Sequence, residues 1–97
     1  MTRDPGEQAR VDRECEGLAL YHFRGSPESI QVCREIIRLG LSIEVRDAQL
    51  DYDHRQTLEK QGGRLEAPCL RIERPGGDEW LYGEAEIKAY LHRRFSA

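Results

Sequence analysis

Two serines flank a proline-led turn in the stretch F-R-G-S-P-E-S-I-Q-V, which spans residues 23–32. Ser26 stands directly before Pro27, and Ser29 follows three positions later. A serine hydroxyl at such a turn could take part in chemistry, hold a ligand or cap a helix. Serine is a favoured N-cap residue and proline a favoured first helical residue, so the pattern predicts a helix that begins here with Ser26 as its cap. For Ser29 it favours a role within the same capping turn.

The cysteines and histidines show no spacing typical of a metal or redox site. The three cysteines lack C-x-x-C and zinc-site patterns, which indicates reduced thiols, and the three histidines are scattered over different segments. The sequence therefore predicts no metal. We expect Cys33 to pack in the core, Cys15 to be exposed on a polar leader, and Cys69 to lie nearest to a ligand groove. These residues are Cys15, Cys33, Cys69, His22, His54 and His92.

The elements that must position these residues follow from hydrophobic spacing. A nearly continuous apolar run predicts a first strand, and a wide apolar stripe of period 3.6 predicts a largely buried helix that ends at Gly40. Alternation predicts a second strand, and a polar helix follows it. A turn with the sequence R-P-G-G-D joins two further strands as a hairpin, before a last helix. The predicted strands are 18–23, 41–46, 69–73 and 79–82, and the helices are 27–39, 52–61 and 84–95.

This order, β-α-β-α-β-β-α, predicts an α/β fold with a small mixed four-stranded sheet and helices on both faces. The first strand-helix-strand unit needs a right-handed crossover, which makes its two strands parallel. Ligands of such sheets bind beyond the carboxyl ends of the parallel strands, where Ser26 and Pro27 lie. Residues 1–16 are predicted to be a polar leader with a short helix around 8–14, and residues 17–97 to be the domain.

Composition excludes several classes of function. A chain of 97 residues with 38% apolar residues fits one globular domain. Its formal charge of −3 argues against nucleic acid as a partner, since such binders carry a concentrated basic face. No apolar run approaches the roughly 20 residues that span a bilayer, and the first 17 residues lack the apolar centre of a signal peptide. We therefore expect no membrane partner and a cytoplasmic location.

Three stretches together resemble the thioredoxin superfamily, above all the glutaredoxins and the N-terminal domains of glutathione transferases. L-Y-x-F-x-x-S-P-E-S stands where a glutaredoxin has C-P-Y-C or C-P-F-C. G-G-R-L-E-A-P-C-L resembles the segment whose proline is cis in the family. W-L-Y-G-E-A-E-I-K-A-Y-L resembles L-x-E-S-x-x-I-x-x-Y-L of the transferases. The resemblance spans residues 18–95 and implies a thioredoxin-like fold.

The resemblance also implies a glutathione site. Ser26 falls on the nucleophilic cysteine, Ser29 on the resolving cysteine and Pro68 on the cis-proline. The Ala67 backbone would pair with the cysteinyl part of glutathione. The beginning of the last helix would hold the γ-glutamyl end, and two arginines are candidates for the glycine carboxylate. The implied glutathione-binding residues are Ser26, Pro27, Ala67, Pro68, Gly83, Glu84, Glu86, Arg24 and Arg64.

The departures from the family shape the functional prediction. Disulfide exchange needs a thiolate, so serine at both cysteine positions removes the dithiol reaction. We predict a domain that binds glutathione, a related thiol peptide or a protein partner without redox chemistry. The alternative is a small transferase-like or monothiol redox enzyme. It would use Ser26 to polarise a glutathione thiol, or Cys69 as a displaced nucleophile. Two features oppose a transferase: no helical domain follows within the chain, and Glu84 replaces the family's serine.

Overall fold

The computed structural model describes residues 4–95 and contains the predicted elements in the predicted order, including the short helix predicted in the leader. All bounds agree with the sequence prediction within a few residues, and those of β4 and α4 agree at both ends. The elements are α1 (Pro5–Cys15), β1 (Leu18–His22), α2 (Pro27–Arg38), β2 (Glu44–Asp47), α3 (Tyr52–Gly62), β3 (Cys69–Ile72), β4 (Glu79–Tyr82) and α4 (Glu84–Phe95).

The sheet is mixed and four-stranded, with the order β2-β1-β3-β4. β1 pairs parallel with β2 and antiparallel with β3, and β3 and β4 form the antiparallel hairpin. In this register Tyr21 lies opposite Arg46 on one side and Cys69 on the other. The sheet is therefore the small mixed four-stranded sheet that the sequence predicts.

Helices cover both faces of the sheet, and each face has its own hydrophobic cluster. The larger cluster joins α1, α2 and α4 to one face, while the smaller cluster joins α3 to the other face through Leu58. Tyr21 is fully buried in the smaller cluster, and its hydroxyl accepts hydrogen bonds from Arg46 Nη1 at 2.7 Å and Arg71 Nη1 at 3.3 Å. No helix within residues 4–95 is long and apolar enough to cross a membrane.

Helix α1 shows that part of the predicted leader packs on the domain. Asp4 caps it by accepting the Glu7 N–H at 2.8 Å. Val11 and Cys15, four residues apart and therefore on one helix face, are buried in the larger cluster. The expectation that Cys15 is exposed is wrong, because only 1% of this residue is accessible.

The buried stripe of helix α2 is narrower than the sequence predicts. Ile30 and Ile37 belong to the wide apolar stripe that predicts a largely buried helix, but 43% and 78% of these residues are exposed. They lie about 140° or more around the helix from Glu35, which bonds His92 of α4. The flank with the two isoleucines therefore faces away from α4.

The second strand begins later than the alternating pattern predicts. Leu41 and Ile43 are buried but precede the strand, which runs Glu44–Asp47. Val45, the third apolar residue of the alternating pattern, is 44% exposed because β2 is an edge strand. The alternation therefore identifies Leu41 and Ile43 as buried residues, but it does not identify the residues that pair with β1.

Candidate functional site

The turn between β1 and α2 is closed by both serines. Ser26 caps α2, and its Oγ accepts the Ser29 N–H at 3.2 Å. Ser29 is fully buried, and its Oγ accepts the Phe23 N–H at 3.3 Å, which ties the helix to the end of β1. Ser26 uses one acceptor position for the cap, and within residues 4–95 its own hydroxyl proton has no acceptor. The Ser26 proton is therefore available to a ligand.

A cis-proline loop lies at the same end of the sheet. The Ala67–Pro68 peptide is cis, as the family resemblance implies. Tyr21 pairs with Cys69 in antiparallel strands, so the residues after Tyr21 and the residues before Cys69 leave the sheet at the same end. The Ala67 N–H and carbonyl form no hydrogen bond within the described chain. These backbone groups can pair with an extended peptide beside the turn.

The beginning of α4 is joined to this loop and completes the site. Gly83 adopts a left-handed φ of 95°, which favours glycine, and its N–H donates to the Pro68 carbonyl at 3.1 Å. Beside it is an open groove of about 580 Å³. We call it the acidic groove, because it carries three glutamates and one lysine: its lining residues are Glu28, Gly83, Glu84, Ala85, Glu86 and Lys88.

Lys88 partly neutralises the acidic groove. Its Nζ lies 3.3 Å from Glu84 Oε2, one helical turn away. Glu28 and Glu86 are exposed, and their carboxylates form no hydrogen bond or ion pair within residues 4–95. The groove therefore presents net negative charge to a ligand at neutral pH.

The two arginine candidates are held elsewhere. Arg24 Nε lies 3.0 Å from Asp47 Oδ2, and Arg64 stacks over Tyr82 with its guanidinium 4.2 Å from the ring centroid. Arg64 Nη1 is also 3.7 Å from Glu66. Neither arginine lines the acidic groove, so the structure does not bring these two candidates into it.

The thiols near the site are poor nucleophiles. Cys69 is fully buried against the α3 face of the sheet, and burial raises its pKa to about 12. Burial also raises the pKa of Cys15 and Cys33. Because the thiolate is the reactive form, none of the three has an environment that favours reaction near neutral pH.

Two contacts at the site gave no usable signal in the sequence. Glu28 could be recognised only as a favourable charge in the first helical turn, whereas it lines the acidic groove. Gln49 Oε1 accepts the Gly25 N–H at 3.2 Å, which connects the loop after β2 to the turn. For metals, residues 4–95 contain no group of three or more His, Cys, Asp or Glu side chains that could hold an ion.

Comparison with solved structures identifies two neighbours that share the fold. The maleylacetoacetate isomerase from Anaeromyxobacter dehalogenans 2CP-1, solved with dicarboxyethyl glutathione and citrate in its active site, superposes with a TM-score of 0.60 at 24% identity. The match covers 80% of this chain and 36% of the isomerase. A wheat glutaredoxin superposes with a TM-score of 0.58 at 18% identity, over 93% of this chain and 83% of the glutaredoxin.

These similarities confirm the thioredoxin-like fold. At these identities they establish the fold alone, and the chain spans about a third of the isomerase. No protein-family model and no curated protein matches the sequence.

Proposed function

We propose that this domain binds glutathione or a related γ-glutamyl thiol peptide without performing thiol–disulfide exchange. The observation that supports this proposal most strongly is that three features lie at the same end of the sheet. The free Ser26 proton, the free Ala67 backbone groups and the acidic groove all lie there. In addition, a fold neighbour holds a glutathione derivative in its active site.

The proposed contacts follow the chemistry of each group. The Ala67 N–H and carbonyl pair with the cysteinyl backbone as one rung of an antiparallel ladder. The Ser26 hydroxyl donates to the ligand sulfur while it still accepts the Ser29 N–H, because a hydroxyl can do both. The beginning of α4 receives the γ-glutamyl end, where free backbone N–H groups suit a carboxylate.

Affinity for glutathione is expected to be weak because of Glu84. This carboxylate lies at the proposed γ-glutamyl position and opposes the ligand carboxylate, and Lys88 neutralises it only in part. Like charges at a partly exposed site cost on the order of 1 kcal/mol or more. Glu84→Ser should therefore improve binding several-fold. Calorimetric titration of both proteins with reduced glutathione at matched salt measures the difference, since salt screens the charges.

The control is Glu59→Ser, which removes one exposed glutamate on α3, outside the groove, and leaves the γ-glutamyl position unchanged. Its affinity should stay near that of the natural chain. If neither the natural chain nor Glu84→Ser binds millimolar glutathione, the ligand proposal fails and a protein partner in the groove becomes the leading function. Tight binding by the natural chain, weakened by Glu84→Ser, would show that Glu84 instead holds the ligand ammonium.

A mapped titration locates the ligand. Amide resonances of Ser26, Ala67 and Glu84 should shift on addition of reduced glutathione, and those of the α3 face should not. The same experiment with an analogue that carries a methyl group in place of the thiol separates sulfur recognition from peptide recognition. Shifts confined to other surfaces would exclude this site.

The free Ser26 proton also favours a second candidate, a transferase-like activation of the ligand thiol. A hydrogen bond to the thiolate stabilises the charged form and lowers the thiol pKa. Ser26→Gly retains an acceptable N-cap and lacks the hydroxyl, whereas Ser26→Thr retains both. Ultraviolet titration of bound glutathione should show a lowered thiol pKa in the natural chain and in Ser26→Thr but not in Ser26→Gly. An unchanged thiol pKa in all three proteins would mean that the domain binds the ligand without activating its thiol.

Disulfide reductase activity is expected to be absent. The buried Cys69 cannot replace the missing thiols at the turn, because its raised pKa and its position in the smaller cluster both oppose attack. Glutathione-dependent reduction of a small mixed disulfide should stay at the uncatalysed rate. Turnover that disappears in Cys69→Ser would establish the displaced-nucleophile alternative instead.

A further inference from the structure

Within residues 4–95, strand β2 has a neighbouring strand on one side only. It is one of the two outer strands of the sheet, and on its inner side the Ala48 N–H donates to the His22 carbonyl at 2.9 Å. In a parallel ladder alternate residues direct both main-chain groups toward the neighbouring strand, so Arg46 faces β1 as Ala48 does. The N–H groups of Val45 and Asp47 therefore point outward, together with the Val45 carbonyl.

Exposed apolar side chains lie on the same side of the sheet as α2. Val45 pairs with Leu20, a member of the larger cluster, so its side chain lies on the α2 face of the sheet. On α2 the exposed Ile30 and Ile37 lie on the flank away from α4. We call Ile30, Ile37 and Val45 the apolar ridge. An edge strand with an apolar flank is a template for another strand.

We infer that β2 pairs antiparallel with β2 of a second copy of this chain, with Val45 on the two-fold axis. This register joins the outward groups of Val45 to those of its symmetry mate. It also directs each Asp47 N–H toward the carbonyl of the other copy's Ile43. A two-fold axis perpendicular to the sheet places the two apolar ridges on the same face, next to each other.

Charge selects this register among its neighbours. With Val45 on the axis, Glu44 of each copy lies directly opposite Arg46 of the other. An axis through Glu44 would oppose two glutamates, and an axis through Arg46 would oppose two arginines. Opposite charges in a directly facing pair stabilise a sheet and like charges destabilise it. Within one chain Arg46 Nη2 is already 2.6 Å from Glu44, so the dimer would carry four alternating charges on the α3 face.

Sedimentation equilibrium together with amide hydrogen exchange tests this inference. We expect the apparent mass to rise with concentration from 11.2 kDa toward twice that value. The Val45 and Asp47 amides should exchange more slowly in concentrated than in dilute protein. Ile37→Glu should weaken association by about tenfold or more. Gln31→Glu adds the same charge at an exposed position of the same helix, outside the ridge, and should associate like the natural chain.

Val45→Pro provides a second, independent variant. It removes the outward N–H without removing a bond to β1, and proline is tolerated at such edge positions. We expect a folded monomer. The inference is overturned by a natural chain that stays monomeric at all concentrations, or by a dimer in which the Val45 and Asp47 amides gain no protection. Equal weakening by Gln31→Glu and Ile37→Glu would also overturn it.

Discussion

At the scale of single residues, the position of Ser26 is still built for an anion even though it carries no thiol. Its Oγ receives the Ser29 N–H at 3.2 Å at the beginning of a 12-residue helix, where backbone dipoles favour negative charge. A sulfur atom at the same place would receive the same stabilisation. A cysteine at this position would therefore test whether the turn has the geometry that the resemblance to glutaredoxins implies.

Ser26→Cys should therefore yield a thiol whose pKa lies below the ordinary value of about 8.5. The pH dependence of its alkylation rate by iodoacetamide measures this pKa, and the natural chain, with its buried or half-buried thiols, provides the background rate. An ordinary pKa in the variant would mean that the turn does not have the family's geometry. The roles proposed for Ser26 and Ala67 would then lose their support.

At the scale of elements, a charged cluster connects α2 to α4. Glu35 is 8% exposed, accepts a hydrogen bond from Arg38 Nε at 2.8 Å and contacts His92 Nε2 of α4. The Arg38 hydrogen bond, assisted by His92, lowers the Glu35 pKa to about 2. The folded form thus binds the Glu35 proton more weakly than the unfolded form does.

This pKa shift makes the contact between α2 and α4 sensitive to acid. A carboxyl group with a lowered folded pKa contributes stability that is fully present above its unfolded pKa, near 4.5, and is lost as the pH falls toward about 2. Urea unfolding at pH 7 and at pH 3 should show a larger loss in the natural chain than in Glu35→Gln. Equal losses in the two proteins would remove Glu35 as the cause.

Gly62 marks a close approach between α3 and the hairpin. A Cβ atom there would lie 2.6 Å from Tyr82 Oη and 3.0 Å from the Trp80 ring, and Tyr82 Oη already donates to the Gly62 carbonyl at 2.8 Å. Gly62→Ala should therefore lower the free energy of unfolding by about 1–3 kcal/mol through overpacking. Gly76→Ala, with nothing within 4 Å of its Cβ, is the matched control for urea unfolding. A loss as small as that of the control would show that the hairpin yields without cost.

At the scale of the whole molecule, hydrophobic spacing and turn chemistry predicted the element order because each core element has an apolar face of the right period. The exceptions share one cause, which is that burial depends on how the elements pack together and not on local spacing alone. Val11 and Cys15 are two apolar residues in a polar segment, so only the completed core reveals that they are buried. Val45 lies on an edge strand and Ile37 on the flank of α2 that faces away from α4, so both are exposed although they have the right period.

The candidate site was predictable only where it depends on local chemistry. The Ser26 cap follows from the S-P pair, since an N-cap and its partner are three residues apart. The inclusion of Glu28 in the acidic groove and the link from Gln49 to Gly25 depend on contacts between distant segments. No spacing along the chain encodes them.

The position of Trp80 makes it a fluorescent probe of one face of the sheet. It is the single tryptophan of the chain, and its ring lies 5.5 Å from the Tyr21 ring and 5.0 Å from the Arg71 guanidinium in the cluster under α3. Helix α3 buries only Leu58 in that cluster, so it has the fewest buried side chains of the four helices and is expected to detach first. We expect Trp80 fluorescence to change at lower urea than far-ultraviolet circular dichroism. Coincident transitions would instead mean that both faces melt as one cooperative unit.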